Sequence, residues 1–149
     1  MPKGKKKKKK QAAYSLPPAL EKRPNWVGPP TFEGGYLSWR FSSADAEDSW
    51  AWSKVSGTDL KQIMGRLAAF ESIPPGREIN RVRSMVPVGR LSQPAKQRLS
   101  KLQRDDIDSL FGWHIDGLKR LWCAQYDGMM CVLWWDPKHE VYPVPKKYT

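Results

Sequence analysis

The chain has 149 residues, 40% of them apolar and eight of them tryptophan, with a formal net charge of +11. That length holds one domain, and the apolar content suffices to bury a core, which excludes a wholly disordered polyelectrolyte. There is no run of eighteen apolar residues and no apolar segment behind the N-terminal lysines, so neither a membrane span nor a secretory signal is expected and the expected location is the cytoplasm.

Charge is unevenly spread. Residues 1–24 carry +8 (nine Lys or Arg, one Glu) and residues 77–104 carry +7 (eight Lys or Arg, one Glu), flanking nearly balanced sequence. Lys5 to Lys10 repel one another too strongly to pack, and Pro17, Pro18, Pro24, Pro29 and Pro30 favour extended chain. Residues 1–30 are therefore expected to be a disordered basic arm and linker, and residues 31–149 a single α+β domain. Such an arm suits phosphate without sequence preference; a solubilising tail or a nuclear localisation signal would read the same way.

Tyr36 to Phe41 follows Gly34-Gly35 and is rich in aromatics, which predicts an opening strand with Leu37, Trp39 and Phe41 on one face. Leu60, Ile63, Met64, Leu67 and Phe70 recur at helical spacing from an N-cap at Thr58 to the stop at Pro74-Pro75. Residues 76–91 set Arg77, Arg81, Arg83 and Arg90 among Gly and Pro without clear period, a basic loop with room for a short strand. Ser92 can cap a second helix, with Ala95, Leu99 and Leu102 as its apolar stripe and Lys96, Arg98, Lys101 and Arg104 around it, ending near Asp105. Ile107 to Ile115, Leu118 to Tyr126 and Met129 to Trp135 are strand-like and separated by Asp116-Gly117 and Asp127-Gly128, strong hairpin signals. The expected fold is thus α+β: an early strand, two helices, and a C-terminal three-stranded antiparallel meander.

A two-residue turn at Asp127-Gly128 pairs Tyr126 with Met129 and sets Arg120 opposite Trp135, Trp122 opposite Leu133 and Ala124 opposite Cys131. Cys123 and Cys131 then point to opposite faces, which argues against a disulfide or a metal site with His114 and His139 and makes them small core hydrophobes. Both faces of the meander are mostly apolar, so each is expected to have partial cover from helix or loop.

Pro137 must break the ladder or mark an edge, which leaves His139 and Tyr142 just beyond the strand bearing Trp135, near Arg120 on its neighbour. Arginine can fork onto a phosphate, histidine can move the proton of a 2′-hydroxyl or leaving group, and an aromatic ring can stack a base. The plainer readings are that Asp136 or Glu140 pairs Arg120, that His139 is merely exposed, and that the tryptophans are core. No phosphate-loop glycine pattern, Cys/His metal spacing or Ser-His-Asp constellation is present, so nucleotide hydrolases, zinc proteins and serine hydrolases are unsupported, and neither metal nor small-molecule cofactor is expected.

The order of elements, with Lys119-Arg120-Leu121-Trp122-Cys123-Ala124 followed by the last strand and His139 to Tyr142, resembles the RelE/ParE toxin superfamily, especially RelE- and YoeB-like mRNA endonucleases. The chain also resembles small uncharacterised bacterial proteins ending in Trp134-Trp135-Asp136-Pro137-x-His139. The toxin resemblance implies a RelE-like fold, metal-independent 2′-hydroxyl attack on mRNA, Arg120 on the scissile phosphate, His139 and Tyr142 in acid–base work, and an acidic antitoxin as partner. The family's last strand runs straight into its catalytic residues, whereas Asp136-Pro137 intervenes here, and the lysine arm has no counterpart.

Three readings stand at this point: a toxin-type endoribonuclease; a non-catalytic module for nucleic acid or ribosomes; and a protein-interaction module whose charge serves solubility. The first two take RNA or the ribosome as partner, with Arg81, Arg83, Arg90, Lys96, Arg98, Lys101, Arg104 and Trp135 as the RNA-binding surface.

Overall fold

The computed structural model describes residues 36–74, 79–126 and 128–143; the basic arm and linker expected for residues 1–30 lie outside them. Within these residues the regular elements are β1 (Ser38–Arg40), α1 (Gly57–Glu71), β2 (Arg83–Pro87), α2 (Gln93–Lys101), β3 (Ser109–Asp116), β4 (Lys119–Tyr126) and β5 (Met129–Asp136). Single 3-10 turns lie at Trp52–Lys54, Ile79–Arg81 and Val88–Arg90. The described residues are mixed α+β, with two helices and one five-stranded sheet ordered β1-β5-β4-β3-β2. Among the described residues no helix is long and apolar enough to cross a membrane.

The expected three strands are consecutive in this sheet, and the expected early strand, β1, and a short strand in the basic stretch, β2, extend it on either side. β2 forms within the stretch read as a basic loop and pairs antiparallel with β3, while β1 pairs parallel with β5. β2 lacks the apolar alternation that announces a strand in sequence and is completed by its pairing with β3. β1 is also shorter than expected: Leu37 and Trp39 join the core, whereas Phe41 leaves the strand and meets Trp52 edge-on at 5.3 Å.

Helix α1 starts two residues earlier than its sequence suggests, because Ser56 rather than Thr58 caps it, its side chain accepting from the Asp59 N–H at 3.1 Å. Ile63, Leu67 and Phe70 are buried, while Leu60 and Met64, expected on the same face, are exposed. Ser92 caps α2 as expected, with Pro94 in the first turn, but the helix stops at Lys101 rather than near Asp105.

The helices take opposite faces of the sheet. Ile63, Leu67 and Phe70 of α1 pack with Trp113, Ile115, Leu121, Cys123, Met130, Val132 and Trp135. Ala95 and Leu99 of α2 pack with Leu110, Trp122, Ala124, Cys131, Leu133 and Trp134. That two-sided cover explains why the central strands are apolar on both faces. Cys123 and Cys131 do fall on opposite sides, and both are free and buried.

The β4–β5 register runs as expected from Tyr126↔Met129 to Cys123↔Val132, then slips by one residue so that Trp122 pairs with Trp134 and Arg120 with Asp136. The extra residue is Leu133, which turns to the α2 side beside Trp134, and the strand bulges to accommodate both. Arg120 is therefore not opposite Trp135. A second irregularity precedes the β3–β4 turn, where Asp116 pairs with Lys119 and Gly117 takes the left-handed backbone (φ 51°).

Gly112 pairs with Trp122 across β3 and β4, and a Cβ there would lie 2.9 Å from Trp122 Cη2 and Cζ3. The indole is itself fixed, buried and donating Nε1–H to Asp136 at 3.1 Å. Gly112→Ala should therefore destabilise the fold by about 1–3 kcal/mol, the usual range for overpacking a core. Denaturant unfolding followed by tryptophan fluorescence measures it.

Candidate functional site

Strand alternation puts Gly112, Trp122 and Trp134 on the α2 side, and two residues further along each strand come His114, Arg120 and Asp136. His114 pairs with Arg120 and Arg120 with Asp136, so an imidazole, a guanidinium and a carboxylate form a cross-strand row at one end of the sheet. From β2, Ser84 Oγ lies 3.1 Å from His114 Nε2. Arg66 of α1 reaches the same strand and donates to the His114 carbonyl at 3.2 Å.

Asp136 is fully buried and holds the chain that follows it. Its carboxylate accepts from the Trp122 indole, from the Glu140 N–H at 2.9 Å and from the Val141 N–H at 2.9 Å. Three N–H donors and the nearby Arg120 charge are what make a buried carboxylate tolerable. The grip closes residues 137–141 into a tight turn, in which His139 adopts φ 58°. A left-handed backbone costs a non-glycine residue roughly 1–2 kcal/mol and persists only where the surroundings impose it. His139 is 9% exposed, and its Nδ1 is buried without a hydrogen-bond partner.

Arg120 is half-buried, with its Nη1 donating to the Gly117 and Lys119 carbonyls. Burial disfavours its charge and the Asp136 carboxylate favours it, burial prevailing. Burial also holds His114 toward its neutral form, reinforced by the positive charges of Arg120, His139 and Arg66. His139 and Arg120 thus both bear electrostatically on His114.

Of the residues expected to carry catalysis, Arg120 and His139 both bear on the charge of His114. Tyr142 is half-buried against the α2-side core. His114 and Ser84 complete the cluster and were not singled out for it. A lone histidine among apolar strand residues was the available signal for His114; Ser84 gave none, because β2 is not legible.

The residues expected to bind RNA do not form one surface. Trp135 is 2% exposed and lies in the α1-side core, on the opposite face from Arg120, a correction that follows from the bulge at Leu133. Arg83 stacks over Phe111 and Trp113, 4.6 and 5.6 Å from the ring centres, and donates to Gln125. Arg104 pairs with Asp106 at 3.0 Å and donates to the Tyr126 hydroxyl. Arg81, Arg90 and Lys101 are exposed and Lys96 is half-buried.

Arg98 forks onto Asp45 with two bonds of 2.8 Å and reaches Asp48 at 3.5 Å. Asp45 also accepts from the Trp134 indole and the Glu47 N–H. Among the described residues no group of three or more His, Cys, Asp or Glu could hold a metal ion. No family model matches the chain, nor does any curated protein or solved structure.

Burial opposes the Asp45 charge, but the Arg98 fork and the two N–H donors overcome it and hold the carboxyl below the ordinary range. The stability this contributes is present above the ordinary carboxylate pKa and lost as pH falls through the lowered value. Arg98→Ala should cost about 3–5 kcal/mol near neutrality, the range for stripping one partner from a buried pair. Denaturant melts at successively lower pH should show the gap to the wild type narrowing as Asp45 protonates.

Proposed function

We propose that the protein is a basic, RNA-interacting protein of the cytoplasm that cuts mRNA as RelE-like toxins do, by attack of the 2′-hydroxyl on the adjacent phosphate. One observation carries this reading: Asp136 pairs with Arg120 across the sheet and also grips the Glu140 and Val141 N–H groups, fixing the turn that holds a buried His139. Strain of this kind has to be imposed, and it is concentrated where geometry serves chemistry. In the reaction Arg120 holds the scissile phosphate and spreads its charge, and His139 moves a proton at the reacting oxygens. Tyr142, half-buried on the core beside the turn, is a further candidate for that proton transfer. An acidic antitoxin would be the partner that holds such an activity in check.

Induced expression in bacteria should arrest growth, and Arg120→Ala or His139→Asn should abolish the arrest while the protein remains folded. Asparagine is chosen because it tolerates the left-handed backbone and so removes the imidazole without releasing the turn. A harmless wild-type protein, or an arrest that both variants preserve, would overturn the reading.

A second reading, a non-catalytic module for nucleic acid or the ribosome, is favoured by where the charge lies. Among the described residues fourteen Lys or Arg face eleven Asp or Glu, whereas residues 1–24 alone carry +8. Arg98 and Arg104 of the second basic block are moreover paired with carboxylates. Binding of RNA should therefore weaken steeply with salt, each neutralised phosphate adding about 0.7–0.9 to the log–log slope. Deleting residues 1–24 should remove most of that slope, as read by fluorescence anisotropy across a salt series; a slope that the deletion leaves intact would count against the arm.

A further inference from the structure

Nothing in the reaction above employs His114, although its position suits it to chemistry better than its sequence context suggests. It stands between Ser84 of β2 and Arg120 of β4, with His139 of the C-terminal turn and Arg66 of α1 also bearing on it and Asp136 on the far side of Arg120. Its Nε2 lies 3.1 Å from the Ser84 hydroxyl oxygen, so the ring already addresses a hydroxyl at proton-transfer distance. Ser84 is exposed on a sheet-edge strand. One imidazole in contact with a hydroxyl and a second in a strained turn, with a guanidinium in the same cluster, make a set with two proton-transfer groups and one phosphate-binding group.

We propose that His114 is a catalytic residue, the general base that takes the 2′-hydroxyl proton of RNA, with His139 as the acid that protonates the leaving 5′-oxygen. The proposal rests on the ribonuclease reading. The 2′-oxygen bonds to phosphorus as its proton passes to His114 Nε2, the P–O5′ bond breaks, and His139 supplies the proton that O5′ requires. The products are a 2′,3′-cyclic phosphate and a 5′-hydroxyl. His114 ends protonated and His139 deprotonated, and exchange with water restores both. Ser84 orients the ring in the free protein and gives way to the substrate hydroxyl. The surroundings of His114 already favour the neutral, proton-accepting form, burial first and then Arg120, His139 and Arg66.

The test uses the full chain with end-labelled RNA, both free and on translating ribosomes, comparing wild type with His114→Gln, His139→Asn and Ser84→Ala. The wild type should leave 2′,3′-cyclic phosphate ends, with a rate that rises with pH through a midpoint below the ordinary histidine value. His114→Gln should lower the rate about 10²–10⁴-fold and flatten that limb of the profile. Ser84→Ala, which removes only the group that orients the ring in the free protein, should lower the rate no more than about tenfold, far less than His114→Gln.

If the wild type cuts RNA and His114→Gln leaves rate and pH profile unchanged, the assignment of His114 falls while the ribonuclease reading stands. If the wild type cuts neither substrate, both fall. Loss of cleavage in a folded Ser84→Ala protein would make Ser84 the nucleophile and overturn the proposal, as would 5′-phosphate products. Should His114→Gln misfold, imidazole ¹⁵N spectra of the wild type titrated with inorganic phosphate decide the matter: both His114 and His139 should shift, and a response in neither would overturn it.

Discussion

Asp136 is the constraint on which the site depends. A fully buried carboxylate is costly unless its oxygens are occupied, and here the Trp122 indole and two successive backbone N–H groups occupy them. Each of those bonds fixes something else. The indole lies across β3, where only a glycine leaves room for it, and the backbone bonds force the turn that places His139. The same residue faces Arg120 across the sheet, so the charge that stabilises the carboxylate belongs to the cluster as well.

Asp45 plays the corresponding part nearer the middle of the sheet. Its backbone N–H donates to the Leu133 carbonyl at 2.9 Å and its side chain joins Arg98 of α2 to the indole of Trp134 on β5. The loop between β1 and α1 is thereby tied to both the bulge and the helix. Arg98 consequently acts in the folding of the protein, and its charge is not available to a phosphate as that of an exposed arginine would be. A dense run of basic residues in sequence therefore overstates the charge that the folded surface offers to a polyanion.

The local signals that proved legible all have short-range causes. Ser92 caps its helix and Tyr126 pairs with Met129 as counted, because capping and hairpin pairing are settled by a few adjacent residues. The opposite facing of Cys123 and Cys131 followed correctly because counting was safe over the residues nearest the turn. The same counting failed at Arg120, since one extra residue at Leu133 shifts every later pair and exchanges the expected Trp135 neighbour for Asp136. The cap at Ser56 and the exposure of Leu60 and Met64 show a similar limit, for helical spacing identifies a stripe more readily than its edges.

Sequence alone determined that this chain is α+β, that its last three strands are apolar on both faces, and that its charge is gathered into two basic blocks. Each depends on composition or on neighbours within a few positions. Tertiary structure decided how the sheet is extended, which arginines are bound to carboxylates, that His114 meets Ser84 and pairs with Arg120, and that Trp135 is core. The physical reason is common to all of these. They are pairings between residues distant in the chain, set by a bulge, a buried carboxylate and an edge strand whose partners local sequence does not contain.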